Sequence, residues 1–379
     1  MSPATPAEPV AAAKPARARR AKTPAPTAAP DLKTVTLVIP GRDCADTIDA
    51  CLSAVVPLLA GPHLARILFV DDGSKDDSAA RASRYPVEVI RGKGQGPGAA
   101  RNLGWRAAST PWVWFVDSDC VAQPDALDTL VQHLATCPTP DRVAAIGGSY
   151  GNMRPDSLLA SLIQEEIVAR HAKMSPEVTF LATFNVLYRR EVLQQLQGFD
   201  ATFLKGQDAE LAYRVHAAGW QMRFTMASKV GHFHLDQLLP YLQVQRKQGY
   251  WRVWMLRAHP QQAGNDGYAS RLDALPPVLA MAMLAGLPWI TTPQGLALEA
   301  VLAAALVGCH VPLTMELLQR TGDPRMLAYA PMGAARAFGR GLGLTEGVLA
   351  IALKEARTRF VAAHRMDLAP PGRVAGSAG

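Results

Sequence analysis

Two carboxylates one residue apart are the sharpest chemical signal in the sequence. Asp117 and Asp119 flank Ser118 directly after the apolar run WVWFV (112–116), which is typical of a buried strand. Carboxylates at such a strand end can both face a cation, and their hard oxygen ligands suit Mg²⁺ or Mn²⁺. The alternative interpretation is a solvated acidic turn. The position directly after a strand favours a metal site that would also hold substrate phosphates.

Three further polar or glycine-rich clusters follow short apolar runs; they are Gly41-Arg42-Asp43, Asp71-Asp72-Gly73-Ser74 and the segment 92–98. Carboxylates such as Asp71 and Asp72 can accept hydrogen bonds from a nucleotide base or a ribose hydroxyl. The alternative is capping of the next helix, for which Ser74 alone would suffice. The glycine-rich segment leads into a helix start that carries Arg101, and backbone N–H groups with a guanidinium suit a diphosphate.

A further carboxylate and a histidine pair lie later in the chain. Asp208 stands at the start of an amphipathic helix that closes at Gly219, so it is either a general base or a helix cap. His232 and His234 alternate along a predicted strand. We expect the two rings to point to opposite faces, so that at most one of them faces the site.

The elements that must position these residues read as an α/β fold. Between residues 34 and 134, four apolar β-rich runs alternate with four helical patterns, which predicts a parallel sheet covered on both faces. Ligands of such sheets bind beyond the carboxyl ends of the strands, where all four polar clusters fall. After Val143 the pattern is mixed α/β, and MRFTMASKVGHFH (222–234) is predicted to form a pair of short strands.

Six segments resemble glycosyltransferase family 2, in that family's order, over about residues 34–250: VTLVIPGRDCADTI, VDDGSKDDS, GPGAARNLG, FVDSDC, FNVLYRREVLQQLQGFD and GQDAELAYRVHAAGW. The resemblance implies the A-type glycosyltransferase fold, a Rossmann-like mixed sheet with helices on both faces. It also implies a nucleoside diphosphate sugar as donor, Mn²⁺ or Mg²⁺ as cofactor, and inversion at the anomeric carbon.

The resemblance also implies roles for individual residues. Base and ribose would be bound by Asp43 and Asp72 with Asp71 close by, the donor phosphates by Arg101, and the metal by Asp117, Asp119 and His232, while Asp208 would be the base. Two positions depart from the family pattern. Asp43 stands where Asn is usual, and Gln207 stands where Glu is usual, so a charge beside Asp208 is missing.

The charge distribution argues against a nucleic-acid partner. The formal net charge is +7, but residues 1–30 hold five Lys or Arg against one acid, so little excess remains for a basic face elsewhere. Residues 1–33 are rich in Ala, Pro and basic residues and are predicted to be a disordered tether, with weak attraction to anionic lipid as the alternative. The five cysteines show no disulfide or metal-finger spacing and fit a reducing compartment.

Residues 251–360 are predicted to be a helical, membrane-associated region, and residues 361–379 a flexible tail. The runs 274–298 and 300–315 contain no charged residue, which favours a membrane hairpin or re-entrant pair over two buried core helices. Basic residues on both flanks suit a hairpin with both ends in the cytoplasm. We therefore expect a protein at the cytoplasmic face of the cell membrane, with a sugar, a lipid-linked sugar or a cell-envelope glycan as acceptor.

Two rival functions remain at this point. A nucleotidyltransferase on a similar fold would need a lysine-rich phosphate signature near the first turn, which offers only Arg42. A non-catalytic sensor of nucleotide sugars would keep the donor pocket without needing the rest. The presence of Asp117, Asp119 and Asp208 together argues against a protein that has lost its catalytic residues.

Overall fold

The structure is a computed structural model that describes residues 33–262 and 271–367. The predicted N-terminal tether therefore lies, except for Lys33, outside the described residues, as do residues 368–379 of the predicted C-terminal tail.

A single mixed sheet organises the first two thirds of the described chain. Its strands are β1 (Val35–Gly41), β2 (Leu64–Asp71), β3 (Glu88–Arg91), β4 (Trp112–Val116), β5 (Cys120–Ala122), β6 (Val143–Asn152), β7 (Glu177–Val178), β8 (Asn185–Arg189) and β9 (Gln221–His232). Their order across the sheet is β3-β2-β1-β4-β8-β6-β9-β5, and β7 pairs with β9. The pairs among β1, β2, β3 and β4 are all parallel, which confirms the prediction for this part of the chain.

The second half of the sheet mixes strand directions. Strand β8 runs antiparallel to both β4 and β6, while β6 and β9 are parallel. The prediction of two short strands over residues 222–234 is wrong, because β9 is one continuous strand. Its pairing with β6 shifts between Gly147 and Ser149, where the partner on β9 changes from Phe224 to Lys229. This irregularity interrupts the alternation along β9, which is why the sequence pattern indicates two pieces.

Helices cover both faces of the sheet. They are α1 (Ala45–Val55), α2 (Ser78–Ala82), α3 (Pro97–Ala107), α4 (Ala126–Ala135), α5 (Leu158–His171), α6 (Arg190–Gln195) and α7 (Gln207–Ala217). Alternate residues of β1 enter different cores. Leu37 and Ile39 pack in the core that includes α1 and α4, while Val38 packs in the core that includes α3 and α7. Helix α1 ends at Val55, and a 3₁₀ turn that contains Pro57 follows it.

The C-terminal region is helical, as predicted. It comprises α8 (Leu238–Ala258), α9 (Leu275–Gly286), α10 (Pro293–Gly308), α11 (Val311–Thr321) and α12 (Tyr329–Asp367). Helix α12 packs along α8, and α9 packs on α12. Helix α8 crosses the predicted boundary at residue 250, and α12 continues past the predicted boundary at residue 360.

One segment of this region, Pro293–Thr321, is long and apolar enough to cross a membrane, judged by length and composition alone. Only 17% of its most apolar window is buried within the protein. Membrane association of the region therefore stays a prediction.

Candidate active site

The carboxyl ends of the parallel strands lie side by side, and backbone hydrogen bonds tie them together. Asp72 N–H donates to the carbonyl of Gly41 at 2.8 Å, so the end of β2 is fixed to the end of β1. Gly92 N–H donates to the carbonyl of Asp71 at 2.7 Å, which fixes the start of the glycine-rich segment to the same edge. The polar clusters predicted to share one sheet edge do share it.

Asp43 lies beyond β1 in a left-handed backbone conformation, with φ at +50°. Its carboxylate accepts a hydrogen bond of 2.7 Å from Lys75 N–H, and its own N–H donates to Ser74 Oγ at 2.9 Å. Asn and Asp tolerate this conformation better than most residues because their short polar side chains can bond locally. Asp43 thus joins the loops that follow β1 and β2, and 48% of its side chain stays exposed.

Asp71 and Asp72 are buried and engaged with the glycine-rich segment and its strand. Asp71 accepts from Arg91 Nη1 at 2.6 Å and from Ser74 N–H at 3.1 Å. The carboxylate of Asp72 accepts from Gln95 N–H at 3.0 Å and Gly96 N–H at 2.7 Å. These two carboxylates therefore shape the loop, and their predicted contact with base or ribose stays a prediction.

Arg101 is the positive centre of the site. Its side chain is 5% exposed and reaches Asp117 Oδ1 at 2.6 Å from α3. Its charge also acts on Asp208 and Tyr188, the first at the start of α7 and the second on β8. Arg101 Nε and Nη1 have no hydrogen-bond partner among the residues that the structure describes. The guanidinium therefore pairs with Asp117, its charge acts on Asp208, and two of its nitrogens keep hydrogens that these contacts do not use.

Asp208 is suited to a base. Burial raises the pKa of its carboxyl group above the ordinary value, and the charge of Arg101 partly offsets this. Helix α7 begins after Gly206, which occupies the N-cap position in a left-handed conformation, so Asp208 is not the N-cap residue. Glu210, by contrast, is 4% exposed and bonds Arg214 on the next turn. The two acids at the start of α7 thus have different surroundings.

Asp119 and His232 form the candidate metal centre. Asp119 Oδ2 lies 3.3 Å from His232 Nε2, and Cys120 Sγ completes a group whose ligand atoms all lie within 4.8 Å of one another. Burial raises the pKa of the Cys120 thiol well above its ordinary value, so this group is a poor metal ligand.

These two residues are compatible with a divalent cation. Neighbouring ligands on an octahedral Mg²⁺ lie about 3 Å apart when the bonds are about 2.1 Å long, close to the observed separation of the two atoms. Asp117 is not part of this group, because its carboxylate is paired with Arg101. Its predicted role as a ligand stays a prediction. Burial raises the pKa of Asp117, and the Arg101 charge opposes the rise.

The prediction that His232 and His234 point to opposite faces is wrong. Their Nδ1 atoms lie 2.9 Å apart and their ring centroids 4.4 Å apart. The expectation misapplied strand alternation, because residues two apart along a strand lie on the same face of the sheet, and the chain turns only after His232, where β9 ends. His234 N–H donates to the carbonyl of His232 at 3.0 Å, which closes a tight turn and brings the second ring back beside the first.

Sequence reasoning did not single out Gln164, Arg91 or Tyr188. Gln164 lies on α5 and contacts His234 at 2.8 Å, a contact across 70 residues that no local pattern could indicate. Arg91 ends β3 and pairs with Asp71. The sequence analysis assigned Asp71 to the nucleotide and did not predict a cationic side chain beside it. The only sequence signal for Gln164 is a polar residue at a buried position of an apolar helix.

Comparison with known proteins gives a consistent result. Residues 36–197 match the family model described as Glycosyl transferase family 2. The chain is 29% identical over 232 residues to the pre-mycofactocin glycosyltransferase of Mycobacterium tuberculosis. That alignment covers 58% of this chain and 47% of the relative, so the chain spans about half the length of this relative.

Two further matches extend the comparison. The uncharacterized glycosyltransferase Mb0553 of Mycobacterium bovis is 30% identical over 197 residues, which cover 50% of this chain and 81% of that protein. Among solved structures, the mannosyltransferase PcManGT from Pyrobaculum calidifontis, in complex with GDP-Man and Mn²⁺, superposes with a TM-score of 0.52 at 18% identity. The superposition covers 84% of this chain and 89% of that chain, and it shows a shared fold.

Proposed function

The chain belongs to glycosyltransferase family 2, and from this premise we propose that it transfers a sugar from a nucleoside diphosphate sugar to an acceptor hydroxyl. It has the A-type glycosyltransferase fold, as the resemblance implied. The observation that carries the proposal is the position of Arg101, whose charge acts on both Asp117 and Asp208 at the strand edge. A donor phosphate and an acceptor hydroxyl can thus meet beside one cation.

Asp208 acts as the general base in this proposal. It removes the proton of the acceptor hydroxyl, whose oxygen then attacks the anomeric carbon from the face opposite the diphosphate, so the configuration inverts. The raised pKa of the Asp208 carboxyl group supports this role, because a carboxylate that holds a proton more readily is a better base at neutral pH. Arg101 keeps the group ionised before the reaction and neutralises charge on the leaving diphosphate.

Asp119 and His232 would hold Mn²⁺ or Mg²⁺, with Asp117 as a further ligand once a donor draws Arg101 away. The bound cation supplies electrostatic stabilisation of the departing diphosphate. Asp43, Asp71 and Asp72 would form the base and ribose end of the donor site. The hydrogen bonds that Asp72 accepts from Gln95 and Gly96 support this, since they hold the glycine-rich segment at the same edge of the sheet.

The acceptor is proposed to be attached to lipid, because the helices α9 and α10 with the turn between them, the α9–α10 hairpin, present apolar side chains to solvent. Trp289 is 62% exposed, Val301 65% and Leu296 57%, on adjacent turns of one hairpin. Exposed apolar surface of this extent marks an interaction site, and the uncharged composition favours lipid as the partner. The protein would then work at the cytoplasmic face of the cell membrane, on a sugar or lipid-linked acceptor.

A donor panel tests the proposed activity. The purified chain is incubated with nucleoside diphosphate sugars and Mn²⁺, and release of nucleoside diphosphate is measured with and without a chelator. We expect one donor class to be turned over and the chelator to abolish the reaction. Asp119→Ala should behave like chelated protein while its unfolding midpoint stays unchanged. Transfer of a nucleotide instead of a sugar, or binding without turnover of any donor, would overturn the proposal.

Liposome flotation tests the membrane part separately. The full chain should float with vesicles and resist a high-salt wash, and Trp289→Ser combined with Leu296→Ser should weaken flotation. Leu239→Ser is the matched control, because Leu239 is 67% exposed on α8, outside the hairpin. Equal flotation of both variants would contradict a role for the hairpin.

A further inference from the structure

A row of buried polar side chains leads from the candidate metal centre into the protein interior. His232 Nδ1 lies 2.9 Å from His234 Nδ1, and His234 Nε2 lies 2.8 Å from Gln164 Oε1. Gln164 Nε2 in turn donates to the carbonyl of Tyr150 at 3.0 Å. Only 6% of Gln164 and 2% of His234 are exposed, so water does not compete for these contacts.

The direction of these hydrogen bonds follows from the last member of the row. A backbone carbonyl only accepts, so the NH₂ group of Gln164 must face Tyr150 and its oxygen must face His234. The oxygen can only accept, so His234 carries a hydrogen on Nε2. In a neutral imidazole one nitrogen donates and the other accepts, so a His234 ring with its hydrogen on Nε2 presents Nδ1 as an acceptor. The hydrogen between the two rings therefore belongs to Nδ1 of His232.

The consequence appears at the other side of the His232 ring. With its hydrogen on Nδ1, the imidazole presents Nε2 toward Asp119 Oδ2, 3.3 Å away. We propose that Gln164 and His234 are positioning residues that fix the hydrogen of His232 on Nδ1 and so keep Nε2 available to a divalent cation shared with Asp119. This inference rests on the metal role in the proposed function and assigns it two residues that do not touch the metal.

Backbone contacts hold both rings in place for this purpose. Phe233 N–H donates to the carbonyl of Asp119 at 3.0 Å, which ties the turn after β9 to the candidate metal centre. Arg154 Nη1 donates to the carbonyl of His234 at 2.9 Å on the far side of the turn. The two rings thus cannot separate without breaking the turn, and the row keeps its direction.

Mn²⁺ affinity in a matched pair of variants tests the proposal. His234→Asn keeps an oxygen near the position of Nδ1, which can still accept from His232, whereas His234→Phe keeps the ring volume without an acceptor. Loss of such a supporting hydrogen bond typically weakens metal binding about 10- to 100-fold. We expect a loss of this size in His234→Phe and a clearly smaller one in His234→Asn, measured by electron paramagnetic resonance of free Mn²⁺ with the full chain.

The control is His171→Phe. It removes a different buried histidine, which lies on α5 and whose Nδ1 contacts Ser149. It should bind Mn²⁺ like the parent protein. A purely packing role for His234 predicts the reverse order, with Phe better than Asn, because Phe fills the space and Asn leaves a cavity. That order, or equal affinities in the two variants, would overturn the inference.

A second readout needs no metal. In metal-free protein labelled with ¹⁵N-histidine, the nitrogen shifts of His232 should report the hydrogen on Nδ1, and His234→Phe should populate the other tautomer. A parent protein with the hydrogen on Nε2 would overturn the inference. A parent protein that binds no Mn²⁺ but shows the expected tautomer would instead overturn the metal part of the proposed function, so the two failures are distinguishable.

Discussion

Two buried groups of polar and charged side chains in this protein differ in how completely their hydrogen-bonding atoms are paired. The first, the site cluster, comprises Arg101, Asp117, Tyr188, Gln207 and Asp208. The second, the α5–α12 cluster, comprises Glu166, Arg170, Tyr241, Tyr329 and Arg336. In the second, Arg336 bonds Glu166 at 2.5 Å and Tyr329 at 2.9 Å, and none of the buried polar atoms in this cluster lacks a partner among the described residues.

The site cluster leaves polar atoms unpaired. Two nitrogens of Arg101, the hydroxyl of Tyr188 and Oε1 of Gln207 are buried without a partner among the residues described. An unpaired buried polar group typically costs about 1–3 kcal/mol, so a cluster of them is not a device for stability. The α5–α12 cluster therefore fastens the C-terminal helices to the catalytic domain, while the site cluster keeps its unpaired atoms for ligands.

The largest expected effect separates the two acids of α7. Asp208→Asn should lower sugar transfer by about 10²- to 10⁴-fold, because an amide cannot accept the acceptor's proton. Its unfolding midpoint should stay close to that of the parent, since Gly206 and not Asp208 is the N-cap. Transfer rate and thermal unfolding are measured on the same preparation.

Glu210→Gln is the matched control for that change. Glu210 pairs with Arg214 and lies 3.4 Å from His259, so its loss should lower stability while the folded protein keeps its transfer rate. Glu210 follows Asp208 by two residues, which places it on a different face of the helix, but the sequence does not show that it is buried in an ion pair. An inactive Glu210→Gln beside an active Asp208→Asn would mean that the base has been assigned to the wrong carboxylate.

A pair of arginine substitutions should show the contrast directly. Arg336→Met leaves Glu166 buried beside Arg170 alone, and breaking a buried pair costs about 3–5 kcal/mol. Arg101→Met removes a buried charge with unpaired donors and leaves Asp117 32% exposed, so we expect less than about 1 kcal/mol of change together with loss of donor turnover. Denaturant unfolding and donor hydrolysis are the measurements. Equal destabilisation by the two changes would remove the distinction between the clusters.

The sequence predicted the parallel half of the sheet and its polar edge well, because both depend on local patterns. The runs that form β1, β2 and β4 are apolar and β-rich, and each ends in polar residues or glycine, so period and strand ends could be read together. The family resemblance then supplied the mixed sheet. Insertion of β8 between β4 and β6 is a long-range pairing that no local pattern specifies.

The partners of the site residues were mostly beyond prediction. Asp72 was assigned to the nucleotide from its place after β2, but only the folded loop shows that Gln95 and Gly96 occupy its carboxylate. His232 and His234 were assigned to opposite faces although residues two apart in a strand share a face, and the turn after β9 keeps their rings in contact. Such contacts depend on where a strand stops, and element ends are the least certain feature of a sequence-based prediction.

Lowering the pH should weaken the α5–α12 cluster, because the Glu166 carboxylate at its centre becomes protonated. Burial acts to raise the pKa of Glu166, but the charges of Arg336 and Arg170 outweigh it and lower the pKa from 4.5 to about 2. A pKa that is lower in the folded state contributes stability above the unfolded value and loses it as the pH falls toward 2. The contribution is at most about 3 kcal/mol at neutral pH.

Urea unfolding at pH 6 and pH 3 measures this contribution. The free energy of unfolding should fall between the two pH values by less in Glu166→Gln than in the parent protein, since the amide does not titrate. The parent at pH 6 should be the more stable of the two proteins, because Gln removes the countercharge of Arg336 and one of the two carboxylates that pair with Arg170, the other being Asp273. Parallel pH dependence in the two proteins would show that Glu166 is not held ionised by the cluster.

The smallest expected effect concerns the rim of the site, at Asp43. Asn is the usual residue of the family there, and Asn can keep both the left-handed conformation and the hydrogen bond from Lys75 N–H. The substitution removes only the exposed pairing with Arg42 at 3.7 Å, and exposed pairs contribute about 0–1 kcal/mol. Asp43→Asn should therefore change the free energy of unfolding by less than about 0.5 kcal/mol.

Asp43→Ala should cost more, since it loses the bond to Lys75 and keeps the strained φ. Thermal unfolding and binding of a nucleoside diphosphate by calorimetry are the measurements. If Asn weakens nucleotide binding as much as Ala does, the negative charge of Asp43 itself contacts the donor, and the rim belongs with the site cluster after all.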